Sequence, residues 1–471
     1  MNTRFSLINL GLIKQGYPVF NAGRNCTFSP FFPFYNLYIS LLKYDIIHSE
    51  YHKGGVIILD QSITIKAQLL NIDGETASAF RDTVLMYRDA CNFISQYVFD
   101  HDFELHQAKL NKALYHDLRD KFALKSQMAQ SAIKTVIARY KTVKTQLSQK
   151  PYRYDTGKKD SKGHAIWSQF PRDLSWLWQP ISFKRPQLDL QRGRDWSYKA
   201  TTNQLSLNTL QGRKAVDFAC KGFDQYLDES KWKFGSLKLL QFRNKWYVHL
   251  SATISLPDFQ ASQAEHVVGI DRGLRFLASC YDEQGKTLFY SGQKVLRKRR
   301  KYKKLRAQLQ AKGTKSAKRR LKKIGQRENR WMSDVNHCLT KTLIDHYGSN
   351  TIFALEDLTD VRFATEKSSK DRRYEMVSWA FYQFEQFLTY KANLNSSAVV
   401  KVPAKYTSQR CPKCGRIRKE NRNHDLHLYV CDKCGYKSND DRLASMNIQF
   451  LGTLYRSGEE APQFNKQASA E

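Results

Sequence analysis

Two C-x-x-C pairs, Cys411-Pro-Lys-Cys414 and Cys431-Asp-Lys-Cys434, constrain this chain more than any other feature of it. Their spacing matches that of four-thiolate zinc sites. Zinc takes four soft ligands in a tetrahedron at about 2.3 Å from sulfur, and each pair supplies two of them from one tight turn. Gly415 and Gly435 follow the second cysteine of each pair, where such a turn wants a residue without a Cβ. Two redox dithiols or disulfides are the alternative reading of the same cysteines. With every ligand position filled by protein, the ion is structural rather than catalytic. The pattern locates a module without naming a chemistry.

The other five cysteines, Cys26, Cys91, Cys220, Cys280 and Cys338, are scattered singly, which fits a reducing cytosol better than a disulfide-stapled secreted chain. The apolar stretch Phe5–Ile13 is broken by Lys14 and Gln15 and does not read as a signal peptide. No segment has the ~18 or more apolar residues of a membrane span. A chain of 471 residues with no evident repeat implies two to four structural units. Its net charge of +33 calls for a polyanionic partner, and nucleic acid fits better than membrane. The 25 tyrosines and 27 phenylalanines are read mainly as core, although aromatics beside cations also stack on unpaired bases.

Along the chain, residues 1–60 hold clustered aromatics without amphipathic spacing and are read as an atypical extension, favoured to be an upstream stretch joined through an early start codon. Ile63–Leu69 alternates as a strand, and Glu75 to Gln146 has the spacing of two or more packed helices. Lys150 to Arg192 reads as an irregular loop region. Short strands are expected at Gln204–Leu207 and Ala215–Phe218, and a hairpin at Leu237–Phe242 and Trp246–Ile254 with Asn244 near its turn. Further strands are expected at Val267–Ile270, Phe276–Tyr281, Thr287–Tyr290, Thr351–Glu356 and Ala398–Val402. Between the third and fourth lies a basic helical hairpin divided at Gly313. A helix over Ser378–Ala392 and a closing helix from Asp441 through Leu451 complete the order. The polar tail from Ser457 is expected to be disordered.

Three acids share one context: Asp271 and Glu356 end apolar strands, and Asp441 opens a helix. Each alone has a plainer reading, respectively a turn, a solvated strand end and a helix cap. Together they match the way an RNase H-like sheet gathers carboxylates. Such a cluster needs cations, because like charges raise one another's pKa. Magnesium accepts carboxylate and phosphate oxygens, and two ions about 3.5–4 Å apart serve phosphodiester hydrolysis. In the basic hairpin, Arg297, Arg299, Arg300, Lys303, Lys304, Arg319, Arg320, Lys322 and Lys323 are nearly unopposed by acids. A solvated face is the alternative to phosphate contact for such a charge run.

With these residues assembled, the chain resembles the TnpB family, RNA-guided nucleases of bacterial transposons related to type V CRISPR effectors, over residues 62–455. The resemblance is carried by Gly269-Ile-Asp-Arg-Gly273, Leu355-Glu-Asp-Leu358, the stretch from Val402 to Gly415 around the first cysteine pair, and Asp440-Asp-Arg-Leu-Ala-Ser-Met-Asn-Ile448. It implies a fold with α/β, β and helical parts. A wedge β-barrel would occupy 61–75 and 149–258, with a helical recognition lobe inserted at 76–148. An RNase H-like (RuvC) nuclease domain would occupy 259–404 and 438–455, with bridging helices at 293–346. A zinc-ribbon target-nucleic-acid module would occupy 405–437, and a tail 456–471. The resemblance also implies Asp271, Glu356 and Asp441 as catalytic magnesium ligands, Cys411, Cys414, Cys431 and Cys434 as zinc ligands, a guide RNA from the transposon end and double-stranded target DNA with a short flanking motif. A bacterial cytoplasmic, nucleoid-associated location follows. The family's usual Asn two residues after the last Asp is Leu443 here, which puts an auxiliary contact in doubt, while Asn447 remains further along. A compact type V CRISPR effector is the nearest alternative. A repressor with a dead nuclease would have lost an acid, and all three are present.

Overall fold

The computed structural model describes residues 19–20, 50–53, 56–161, 163–358 and 380–465, with side chains from residue 59 onward. The chain divides into two compact units, residues 62–255 and residues 1–61 with 256–471.

Within 62–255, three helices span Gly74–Asp100, Gln107–Asp120 and Ser126–Ser148. The Asp73 carboxylate caps the first by accepting from the Thr76 amide at 2.7 Å. Phe80, Val84, Tyr87, Cys91 and Ile94 all lie inside, as their spacing predicts; of the second expected face, Leu114 and Leu118 are buried with Leu110, whereas Phe122 lies past the helix end and is half-buried. Two polar links, a half-buried one from Tyr87 to Thr135 at 2.9 Å and a buried one from Ser95 to Tyr140 at 3.0 Å, set the register between the first and third helices.

A nearly closed, barrel-like sheet accompanies them. Its strands run in the order Gln187–Leu190, Lys233–Phe242, Lys245–Pro257, Val56–Leu70, Gly212–Ala219, Gln204–Thr209 and Trp196–Lys199. The two edge strands are consecutive in the chain, so the short link between them draws the edges together, and a bridge joins Arg192 to Trp196. The hairpin turn lies at Arg243 and Asn244, both at positive φ. The strand expected at Ile63–Leu69 is longer than its alternation suggested. Its start pairs with Glu50–Lys53, so a boundary at residue 60 cuts through a strand. The region 150–192 is not simply irregular, since Tyr152–Lys159 and Ala165–Phe170 pair as an antiparallel ribbon. Both faces of that ribbon are largely exposed, so no burial imposes the apolar–polar alternation by which strands are recognised.

The second unit is built on a mixed sheet in the order Thr287–Ser291, Phe276–Tyr281, His266–Asp271, Thr351–Glu356 and Ala398–Val402, with Val19–Phe20 added at the first edge. In chain order its five main strands therefore stand 3-2-1-4-5. The first three pair antiparallel, and the last two run parallel to the Asp271 strand. Alternation divides the strands between two faces. Val268, Ile270, Phe353 and Leu355 pack with Met332, Leu339, Leu343 and Phe384 from the helices Lys315–Tyr347 and Phe381–Leu394. Ala354 belongs to the other face, beneath the closing helix Asp440–Arg456, where Ile448 and Leu451 meet it.

Gly269 lets that helix lie directly on the sheet. A Cβ there would come within 2.2 Å of the Ser445 carbonyl oxygen and the Gln449 amide nitrogen, both backbone atoms that cannot turn away. Gly269→Ala should therefore cost about 3 kcal/mol or more in equilibrium unfolding, at or above the top of the usual range for overpacking. A loss below about 0.5 kcal/mol would show that the helix sits further from the sheet.

The basic hairpin comprises Gln293–Lys312 and Lys315–Tyr347 and is divided by Gly313, at φ 62°, as expected. The closing helix runs five residues past Leu451. The chain beyond it is not disordered through residue 465, because Phe464 folds back onto Ala354, Val402, Ile448 and Leu451. One apolar ring in a polar tail suffices to dock it, stacked on Phe450 with the Arg410 guanidinium 4.6 Å from its centroid. Residues 466–471 lie outside the described residues, as do the clustered aromatics near the N-terminus.

Candidate active site

The same alternation decides where the acids go. Asp271 shares its face with Val267 and Gly269, and Glu356 shares its face with Ile352 and Ala354, so both belong to the side covered by the closing helix. The parallel register pairs Ile270 with Leu355, and one residue further on Asp271 stands beside Glu356. The helix over them begins Asp440-Asp441, with Asn439 as its cap, accepting from the amides of Asp441 and Arg442 at 3.0 Å each. Two strand ends and one helix start thus converge on one place.

The electrostatics register the convergence at Asp271. Burial, then the charges of Glu356, Asp441 and Asp440, push the Asp271 carboxyl well above the ordinary carboxylate range against a smaller pull from Arg422. Burial raises Glu356, opposed by its contact with Thr407 and by Arg272 and Arg422. Burial and Asp440 raise Asp441, opposed by Arg422, Arg275 and His427. The buried Asp441 Oδ2 has no hydrogen-bond partner among the described residues. Hard oxygen donors, mutual repulsion and an orphaned carboxylate oxygen fit an oxygen-preferring divalent cation.

Asp440 is already engaged. It is 1% exposed, accepts from Arg422 Nε at 3.0 Å and faces His427 Nδ1 at 3.5 Å. His427, Asp440 and Asp441 place ligand atoms within 4.8 Å of one another, but the Arg422 pairing occupies the Asp440 carboxylate.

Sequence reasoning missed the residues that hold these acids in place. Arg272 is buried. Its Nη2 donates to the main-chain oxygen of Glu356 at 2.6 Å, and its Nη1 reaches Glu385 Oε2 and the Phe381 oxygen at 3.4 Å. It therefore ties the end of one acidic strand to the end of the other. Thr407 Oγ1 lies 2.5 Å from Glu356 Oε1 and 2.9 Å from the Ala404 oxygen, and its single proton serves one of them at a time. Asn447 is structural: its Nδ2 donates to the oxygens of Thr407 and Arg410 at 2.7 and 2.8 Å, and so fixes the loop that carries Thr407. Leu443 is fully buried against Cys411, Tyr429 and Cys431, which makes it core where an amide was expected. Arg272 and Thr407 adjoin motif residues, but nothing in their spacing reveals a partner 84 or 51 positions away.

The four cysteines come together. Sγ of Cys411 is 3.6 Å from that of Cys434, and Sγ of Cys414 is 3.6 Å from that of Cys431. A tetrahedron with metal–sulfur bonds of about 2.3 Å has edges of about 3.8 Å, so this group could hold a zinc ion. The two turns repeat each other: the amides of Gly415 and Gly435 each donate at 3.0 Å to the oxygen of the first cysteine in their pair, with φ of 74° and 68°. Burial and the neighbouring thiols push Cys411 up to about 12, a cost that a bound cation reverses by holding thiolates.

On the basic hairpin, Arg297, Arg300, Lys304, Arg319, Arg320, Lys322 and Lys323 are exposed and Lys303 is half-buried. Arg299 differs from the expected outward face. It is buried between the helices, with Nε 3.9 Å from Glu328 Oε1, and Arg306 pairs with the same glutamate. Val295, Arg299, Tyr302 and Arg306 recur at helical spacing and form the seam of the hairpin, which composition alone does not distinguish from its outer side.

Two family models match this chain: one described as a probable transposase over residues 253–360, and one described as a Cas12f1-like TNB domain over residues 381–448. The first spans Asp271 and Glu356, and the second spans the cysteines and Asp441. The chain is 27% identical to the CRISPR-associated endodeoxyribonuclease Cas12f1 of Sulfoacidibacillus thermotolerans over 44% of its own length and 50% of that protein. It is 27% identical to the TnpB-like protein MJ0751 of Methanocaldococcus jannaschii over 46% of its length and 80% of that protein. It is 26% identical to the putative RNA-guided DNA endonuclease InsQ of Escherichia coli over 44% of its length and 54% of that protein. The matches thus span about half the length of the Cas12f1 and InsQ proteins. The chain is related to the TnpB-like proteins and to Cas12f1, and so to the type V effectors.

Among the described residues no helix is long and apolar enough to cross a membrane.

Proposed function

We propose that this chain is an RNA-guided DNA endonuclease of a bacterial insertion sequence, acting in the cytoplasm at the nucleoid, and that it cleaves target DNA by metal-dependent phosphodiester hydrolysis in a RuvC-like site. The observation that carries the reading is the convergence of Asp271, Glu356 and Asp441, each pushed upward by burial and Asp271 also by the other two, with one carboxylate oxygen unpartnered. The 3-2-1-4-5 sheet supports an RNase H-like nuclease domain over 259–404 and 438–455. The barrel-like sheet and three helices support a wedge barrel carrying a recognition lobe over 61–258. The cysteine module at 405–437 is read as a target-nucleic-acid-binding ribbon around a structural zinc.

In this reading Asp271, Glu356 and Asp441 hold the catalytic cations. Two magnesium ions, if held by these carboxylates, would supply the charge that favours an attacking water and the leaving oxygen of the phosphodiester. Arg272 keeps the two acidic strand ends at a fixed spacing, and Thr407 orients Glu356. The exposed cations of the hairpin neutralise guide and heteroduplex phosphates, while base pairing supplies sequence choice.

RNA that copurifies with the protein should be sequenced, transcribed with an altered guide segment and returned to stripped protein. Cleavage should follow the altered guide and require magnesium. Equal cleavage with no RNA would end the guide reading. Affinity for that RNA should fall steeply with salt, and Arg297→Glu with Arg300→Glu should flatten the salt slope. Arg299→Glu should instead lower the melting temperature, because it places a second carboxylate beside Glu328.

Arg272→Lys should slow single-turnover cleavage about tenfold or more, since an ammonium cannot span the Glu356 oxygen and Glu385 together. Guide-dependent DNA affinity should stay unchanged. A loss of affinity without a change in cleavage rate would remove Arg272 from the positioning role.

The likeness to Cas12f1 and to its TNB domain favours a second reading, a compact type V CRISPR effector. A repeat array beside the gene would decide for it, and a transposon end against it.

A further inference from the structure

Ten large apolar side chains stand exposed among the described residues, and seven of them lie between Tyr152 and Trp178. They centre on the ribbon formed by Tyr152–Lys159 and Ala165–Phe170. Tyr152 stands opposite Phe170 and Tyr154 opposite Ser168, so the two tyrosines and Phe170 share one face. Trp176 joins them, its ring centroid 5.4 Å from Tyr152 and 5.8 Å from Phe170. Each of these four rings is exposed by 41–45%.

The base of the ribbon is held firmly. Arg172 Nε donates to the Lys150 oxygen at 2.6 Å, and Leu174 is buried. Beyond that base the rings meet no core among the described residues. A two-stranded ribbon is marginal by itself, and an apolar patch kept outside the core marks an interaction surface.

The chemistry of the patch selects its partner. The shared face is aromatic rather than aliphatic, which suits the flat faces of nucleobases. Cations adjoin it: the Arg172 guanidinium lies 5.8 Å from the Trp176 centroid, and Lys158 and Lys159 are exposed further along the same ribbon, while Arg153 points to its other face. Asp155, the acid within the first strand, points across the sheet from Tyr154 and accepts from the Gly157 amide at 2.9 Å. Aromatic faces interleaved with cations complement unpaired, phosphate-linked bases. A guide RNA is resident, whereas a displaced DNA strand is present only during an encounter. We propose that the Tyr152–Phe170 ribbon is a stacking platform for unpaired bases of the RNA this protein carries. The proposal rests on the guide reading above.

Ultraviolet crosslinking of the purified full-length ribonucleoprotein, followed by mass spectrometry, should place RNA adducts on Tyr152, Tyr154, Phe170 or Trp176. Tyr154→Ala and Trp176→Ala should each weaken binding of the copurifying RNA, transcribed in vitro, on the order of tenfold, as expected for one lost base stack. The salt slope should not change, since no phosphate contact is lost, and Tyr154→Phe should bind like the parent. A parent protein that carries no RNA would bring down the guide reading and this proposal together. A parent that carries RNA, with no crosslink on the ribbon and alanine variants that bind at full affinity, would overturn the ribbon alone. Alanine variants that keep RNA affinity but lose self-association in sedimentation would assign the face to a protein and also overturn it.

Discussion

Asp271→Ala should abolish cleavage of double-stranded DNA, with a loss of about a thousandfold or more, while guide-dependent binding persists. The substitution removes a charge and with it a cation position, and charge stabilisation at a phosphodiester is worth several kcal/mol. Unfolding is not the expected cause. Asp271 lies where burial and three neighbouring carboxylates oppose its ionisation, so the fold gives up stability to keep it. Asp271→Asn retains the shape without the charge. It should be equally inactive and yet melt at a higher temperature than the parent in metal-free buffer. Asp441→Ala should behave as Asp271→Ala does. Asp440→Ala should be milder in cleavage but should destabilise the protein, because it leaves Arg422 beside an emptied site. An active Asp441→Ala beside a dead Asp440→Ala would shift the last ligand by one residue. Three active alanine variants would refute the assignment of the site.

Cys414→Ser should lose the metal and open the cysteine module while the main sheet stays folded. Four thiolates around zinc contribute on the order of 10 kcal/mol to a module of this kind, and a serine hydroxyl is a poor replacement for a soft ligand. Little else could hold the module together. Its three strands, Arg422–Asn423, Leu428–Val430 and Lys437–Asn439, are two or three residues long, and its buried core is Tyr429 and Leu443 set against the cysteines. The main sheet keeps a separate core around Val268, Ile270, Phe353, Leu355 and Phe384. Elemental analysis should show one zinc per parent chain and none in the variant, and limited proteolysis should cut the variant within 405–437. Cleavage should fall as well, because Thr407 reaches Glu356 from the threshold of the module. Parent protein purified without chelator and free of zinc would end this assignment.

Much of this molecule was readable from patterns that repeat within a few residues. The cysteine spacing marked its module because two ligands must come from each tight turn. The apolar runs Val267–Ile270 and Ile352–Leu355 marked buried strands because both their faces are covered. The helical stripe from Phe80 to Ile94 marked its buried side because the period of the helix is built into it. The exposed ribbon at 152–170 escaped for the converse reason: without burial there is no pattern to see.

What only the tertiary structure decided concerns partners far apart in the chain. Nothing local distinguishes Arg299, spent on Glu328 in the seam of the hairpin, from the exposed Arg297 and Arg300 beside it. Leu443 reads as a missing amide until the cysteine module closes over it. Phe464 reads as part of a tail until it meets the underside of the sheet. The sequence by itself determined which residues must be buried, which turns must be tight and which three acids end or begin elements, because backbone period and side-chain chemistry act over one or two turns. Which side chains then neutralise, cap or cover one another depended on the packing of the closing helix onto Gly269. That contact joins segments more than 170 residues apart, and it brings the helix start that carries Asp441 over strand ends that already place Asp271 beside Glu356.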